Sequence, residues 1–402
     1  MWRTKFLVPL KVPIIMKVKW VVFSVLAAFF VSSANPIRQA VAAGLNTRDI
    51  DTVRNKTVLD NKDLFVIDNF LAEAIRELVK TRDFTSIAAL RGEILRRRSP
   101  QPQYTEQFSE SALKYITSAL EETSRFPEDR RIKVAVNLLI LIDGMEDLRL
   151  ADLAIARLKD KNTIIRYWAV HCLTNPAIAK RLNAGGTANA KIARLFADRL
   201  KEIVDISNPD TLALTANFAG DINISQAEEL LLQIADSRTK KYAGWTVEYE
   251  LLDGTILKLL EGKISSAPGG SGKSAVRFAQ LYSFTIQRYV KGSGAASGGL
   301  TETQKQQLAS VLVETEDKCI GKLLGRPQTT IKKAVERNDY AAILKEHNRL
   351  LGDATKAGEL ASKLNFDYGT ASDGRKRTSP LSLPDPPPPS IPGGPKKQTP
   401  GK

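Results

Sequence analysis

Two cysteines and two histidines in 402 residues leave little material for metal or redox chemistry. Cys172 and Cys319 have no CxxC spacing, so zinc-ribbon and thioredoxin-like motifs are absent. Two states stay open for them: one disulfide in an oxidising compartment, or two buried free thiols. His171 adjoins Cys172 on one helical stretch, where neighbours diverge by about 100° and cannot share a metal. His347 lies in a polar helix among Glu346, Asn348 and Arg349. Neither histidine belongs to an HExxH motif, and there is no GxSxG elbow. A Ser-His-Asp set dispersed along the chain stays open, because its members need not be neighbours in sequence. No cofactor is expected.

Period-two alternation between hairpin turns is also missing, which argues against a β fold. No apolar run reaches the roughly 20 residues that cross a bilayer. The longest, Trp20–Val31, follows Lys17 and Lys19 and precedes Ala40-Val41-Ala42, an A-x-A cleavage pattern; Ser32-Ser33-Ala34 is a second. Residues 1–42 therefore read as a signal peptide starting at Met16, and the chain as exported to a bacterial periplasm or beyond. The competing reading is an uncleaved signal anchor. The net charge of +15 divides unevenly, with +6 in residues 1–42 and +3 in 366–402, leaving +6 for the middle. Without a clustered basic patch, no nucleic-acid partner is expected.

What is present is helical. After a linker at 43–62, stripes at 3.6-residue spacing fill 63–264: Ile67/Phe70/Leu71/Ile75/Leu78, Ile87/Leu90/Ile94/Leu95, Phe108/Ala112/Ile116/Leu120 and Ile192/Phe196/Leu200/Ile203. Asn175-Pro176 and Asn208-Pro209 pair an N-cap acceptor with a proline at the first helical position. Gly220 reads as a helix stop, and Ser225-x-x-Glu228 as a capping box. Gly/Ser-rich breaks at 265–300 flank one helix, Ser274–Val290. Residues 301–365 read as a helical hairpin, Thr303–Leu324 and Thr329–Leu351. The last segment, 366–402, reads as a disordered tail, since 380–402 hold nine of the nineteen prolines.

Residues 147–183 form two short amphipathic helices joined by a tight turn, with Leu158-x-Asp160-x5-Arg166-x2-Ala169 across it. This pattern resembles the HEAT-repeat family. The resemblance implies stacked helix pairs, an irregular α-solenoid, with Asp160 and Arg166 as structural members of a polar ladder between units. The fold class is all-α.

Three functions compete. A repeat scaffold would bind a protein or peptide on an exposed face, and Tyr242, Trp245 and Tyr249 are its candidate contacts. A helical enzyme acting on a cell-wall or extracellular polymer would place acids such as Glu248 beside those aromatics; of the acidic pairs Glu121-Glu122, Glu228-Glu229 and Glu248/Glu250, none shows convergence. A nucleotide module would use Ala267–Ser274, with Gly272, Lys273 and Ser274 as a phosphate loop. That motif requires a buried strand directly before it, and the preceding residues read as a helix.

Overall fold

The computed structural model describes residue 45 and residues 47–266, 272–294, 299–371 and 373–386. The expected signal segment with its cleavage patterns, the glycine-rich 267–271 and the last prolines lie outside these residues. Among the described residues the fold is all-helical, and no helix is long and apolar enough to cross a membrane. The chain divides into two compact units, residues 1–111 and 112–402.

The first unit contains α1 (Thr47–Val53), α2 (Asn61–Lys80), α3 (Phe84–Arg96) and the start of α4 (Pro102–Glu122). A helix thus occupies the expected linker, since Ile50 and Val53 supply it with a small buried face. Asp60 and Asp63 form a reciprocal capping box at α2, satisfying backbone donors that the first turn leaves open. The hydrogen bond from Lys56 holds the Asp63 carboxyl below its usual range, against the opposing effect of burial. The Arg96–Arg98 run is spent locally: Arg96 and Arg97 both pair with Glu93, and Arg97 also reaches Asp51.

The second unit begins within α4 and continues through α5 (Glu128–Met145), α6 (Ala151–Ile155), α7 (Thr163–Thr174), α8 (Pro176–Ala184), α9 (Thr187–Lys201), α10 (Pro209–Asp221), α11 (Ser225–Ala243) and α12 (Leu251–Ser266). Then come α13 (Gly272–Gly294), α14 (Glu302–Thr315), a π-turn over Glu316–Ile320, α15 (Gly321–Leu324), α16 (Thr330–Glu336), α17 (Tyr340–Leu351) and α18 (Glu359–Leu364). Helix α7 packs on α5 and α10, and α10 on α11 and α12. Helix α13 is different. It packs against α11, α12, α14 and α17, and most of its residues from Ala275 to Tyr289 are buried, with Arg277, Gln280, Gln287 and Arg288 as its long polar side chains.

Several local expectations change. Asn175 and Asn208 cap α8 and α10 as their sequence suggests. Gly220, however, lies inside α10, where an added Cβ would stand 2.4 Å from Leu259 Cδ2; it is small so that α10 can approach α12 closely. Ser225 is not a cap, because the N-cap position is Ile224 and the Glu228 carboxylate accepts instead from Ser274 Oγ at 2.8 Å. The 301–365 hairpin is cut at 337–339, with Asn338 in the left-handed region and Asp339 capping α17. Cys172 and Cys319 are free thiols in separate buried positions, and burial pushes Cys319 up to about 12.

At 147–183 the first helix is only a 3-10 turn and the five residues of α6, and Ile164 is 54% exposed rather than on the buried face. Asp160 forms a bidentate pair with Arg131 of α5, at 2.8 and 3.2 Å, and accepts from the Asn162 N–H. Burial opposes ionisation there, but Arg131 and the Asn162 amide together bring the carboxyl below its usual range. Arg166 does not meet Asp160's carboxylate. Its guanidinium donates to the main-chain oxygens of Asp160 and Lys161, which fastens the turn from within. The acid ties the α6–α7 turn to α5, and the arginine closes the turn itself.

Candidate functional site

The α11–α12 loop, residues 244–250, rests on a buried layer of charge. Arg238 is fully buried on α11 and grips Asp253 of α12 through Nε and Nη2 at 2.7 and 2.8 Å. Tyr242 donates to the same carboxylate at 2.6 Å. Arg238 Nη1 donates to the Glu248 carbonyl at 3.0 Å, and Arg288 of α13 reaches the Val247 carbonyl and the buried Glu250 carboxylate. Two guanidiniums thus hold the loop by its carbonyl oxygens. Burial lowers the affinity of Arg238 for its proton, but the Asp253 charge outweighs it and leaves the group raised; burial raises Tyr242 well above its ordinary value.

The clamp explains an unusual backbone. Trp245 and Tyr249 both have positive φ, 56° and 60°, where bulky side chains cost on the order of 1–2 kcal/mol each. Such conformers persist when the surroundings over-determine them. Here they aim Trp245 outward, with Arg288 stacked under its ring at 5.3 Å. Two further N–H groups of Arg288, Nε and Nη1, are buried without a hydrogen-bond partner.

Over this loop and along α13 runs the chain's own C-terminal segment, from Pro380 to Asp385, where an unstructured tail was expected. Gln280 both accepts from the Leu381 N–H (2.8 Å) and donates to the Leu381 carbonyl (3.2 Å). Gln287 accepts from the Leu383 N–H at 2.8 Å and donates to the Leu381 carbonyl at 3.4 Å. Lys291 donates to the Leu383 carbonyl at 2.6 Å and pairs with Asp385 at 2.7 Å. The Trp245 indole donates to the Pro384 carbonyl at 3.1 Å. Positions 280, 287 and 291 recur at seven and four residues, so they share one helical face. Side chains of α13 therefore read an extended main chain, and Pro380 and Leu383 are the residues that go under.

The energetics of this docking nearly cancel. Burying Leu383 contributes about 2 kcal/mol, and the six hydrogen bonds to main chain contribute roughly 1 kcal/mol each. Ordering six residues costs about 6–9 kcal/mol, which prolines at 380 and 384 reduce by restricting the free chain. The segment is held, but not tightly.

Of the candidate contacts, Trp245 faces the docked segment, Tyr242 is buried in the charge layer, and Tyr249 is exposed without touching the segment through any hydrogen bond described. Glu248 points outward as well; its carbonyl, not its carboxylate, is engaged. Arg238, Asp253, Arg288, Gln280, Gln287 and Lys291 had no signal in the sequence beyond their placement on helices. Only the aromatic cluster marked the region.

Two other constellations are less open to a ligand. Ser283 Oγ lies 2.8 Å from His347 Nε2, whose Nδ1 is 2.9 Å from Asn348 Oδ1, the connectivity of a nucleophile relay. Ser283 is fully buried in mid-helix, where neighbouring N–H groups are consumed by the helix and cannot form an oxyanion hole. Burial also pulls His347 down, keeping the imidazole neutral, with the Asn348 bond opposing. His171 is paired with Asp143 at 3.0 Å, and Asn175 donates to the same oxygen, beside Tyr167 and Trp168. Trp168 is half-buried.

For the phosphate loop, α12 runs as helix through Ser266 and Gly272 opens α13, so no strand precedes it. Lys273 is exposed. Ser274 is buried and donates to the Glu228 carboxylate, a negative charge that would repel phosphate. Groups of three or more metal-binding side chains are absent among the described residues. No protein-family model matches the chain, and no curated protein gives a significant match.

Proposed function

We propose that this chain is a non-enzymatic helical scaffold that holds an extended peptide or protein segment against α13 and the α11–α12 loop. The observation that carries the reading is the recognition of main-chain groups at 381, 383 and 384 by Gln280, Gln287, Lys291 and Trp245. An indole donating to a carbonyl beside proline is a recurring way to hold extended, proline-containing segments. We read α5 to α12 as an irregular solenoid of helix pairs, supported by the packing of α7 on α5 and α10, with bundle-like packing around α13.

The test is an array of immobilised 12-residue peptides probed with the Leu383→Asp chain, which frees the groove. Peptides carrying leucine next to proline are expected to be retained. Adding Gln287→Ala removes two main-chain bonds and should weaken retention about 10-fold, the equivalent of roughly 1.4 kcal/mol. If no peptide is retained, or the glutamine is irrelevant, the reading fails.

We also propose that the chain is exported, on the strength of Lys17, Lys19, Trp20–Val31 and Ala40-Val41-Ala42. N-terminal sequencing of the protein from its own cells should begin near residue 43 or 35. A chain starting at Met1 or Met16 would refute cleavage.

A further inference from the structure

Building on the peptide-binding reading, we infer that residues 380–386 are a displaceable occupant of the groove, and that its trans ligand is an extended segment of the pattern Leu-Pro-acidic. The recognised features belong to that pattern and not to this chain alone. On the docked segment Gln280 and Gln287 bond only main chain, which any extended segment offers. Selectivity comes from three places. The buried site takes Leu383, which is 1% exposed. The Trp245 indole takes a carbonyl at the proline. Lys291 takes a carboxylate two residues beyond the buried leucine.

The cis segment has the means to leave. Most of its bonds lie in exposed surroundings, and the flanking Ser382 and Pro384 side chains are solvated. The arm that carries it is pinned further back, by Thr378 donating to the Asp353 carbonyl and Tyr368 donating to the Leu351 carbonyl at 2.8 Å. Release of 380–386 therefore leaves the arm attached only two residues away. A tether this short keeps the segment at an effective concentration on the order of millimolar, and the near balance of docking against ordering limits its suppression of a trans peptide to about 30-fold.

The experiment measures fluorescence anisotropy of a labelled peptide, Ser-Pro-Leu-Ser-Leu-Pro-Asp-Pro, the sequence of residues 379–386, with the full chain and its Leu383→Asp variant. The variant is expected to bind about 30-fold more tightly than the unaltered chain. A control peptide with aspartate for its second leucine should bind neither. Should Leu383→Asp fail to give a folded circular-dichroism spectrum, Asp385→Lys replaces it, because that side chain is 89% exposed and the change only sets two cations together at Lys291. Equal binding by the unaltered chain and the variant would overturn cis occupancy while sparing the peptide groove. Absence of binding to both would overturn the groove as well.

Discussion

Replacing Asp253 by alanine is expected to lower the unfolding free energy by about 3–5 kcal/mol, the cost of leaving a buried charge without its partner. The side chain is completely buried and takes three hydrogen bonds, two from Arg238 and one from Tyr242. Its removal strands a guanidinium that is itself 0% exposed. A loss of this size is a large share of the 5–15 kcal/mol that holds a typical domain folded. The pair as a whole is a different matter, because desolvating both ions offsets most of their attraction. Arg238→Met combined with Asp253→Leu should therefore recover most of the stability lost by Asp253→Ala. It should loosen the loop, whose Glu248 carbonyl loses its Arg238 donor in the double variant. Urea unfolding of the two variants decides the point; a drop below about 1 kcal/mol in the alanine variant would mean the layer is hydrated and not sealed.

Gly358→Ala should cost about 3 kcal/mol, the upper part of the range for forced overpacking. The glycine's φ is −76°, so no backbone strain is involved. The reason is contact. An added Cβ would fall 2.3 Å from Leu351 C, 2.4 Å from Gly352 N and 2.4 Å from Leu350 O. All three atoms are main chain and cannot rotate away. Opposite them, Gly352 has φ of 100° and its own Cβ would lie 2.2 Å from the Thr378 carbonyl oxygen. The end of α17, the start of α18 and the arm at Thr378 cross within a space that only hydrogen atoms fit. Forcing it open should shift the arm, so protection of the Leu381 and Leu383 amides from hydrogen exchange should fall along with stability. Stability unchanged within about 0.5 kcal/mol would show that the crossing is slack.

The stripes were legible because helical burial repeats every 3.6 residues and leaves an unambiguous trace in Ile67/Phe70/Leu71 or Phe196/Leu200. Asn175 and Asn208 were legible because a cap acceptor before proline has few other uses. The site was mostly opaque for a physical reason. Arg238, Asp253 and Arg288 are of residue types that belong on surfaces by default, and nothing local distinguishes the ones that pair in the interior. Gln280 and Gln287 carry no periodic or charge signal, and their value lies in a chain segment about 100 positions away. Proline content argued that 380–386 builds no core of its own. It could not predict that one leucine in it, Leu383, would find someone else's. Tyr242 and Tyr249 illustrate the limit of spacing: the chain turns at Trp245, so three aromatics near in sequence went to three environments.

The carboxamides of α13 supply the donor and acceptor that a strand edge would supply, yet they stand on a helix. A true strand edge invites growth, because each added strand exposes a new row of unpaired groups. Here the docked segment offers little to a further strand. Pro380, Pro384 and Pro386 have no N–H to give, which leaves Ser382 as the only donor among the alternate residues between them. The groove can thus hold one extended chain without nucleating a stack, and a helical protein gains β-like recognition without the aggregation hazard that usually accompanies it.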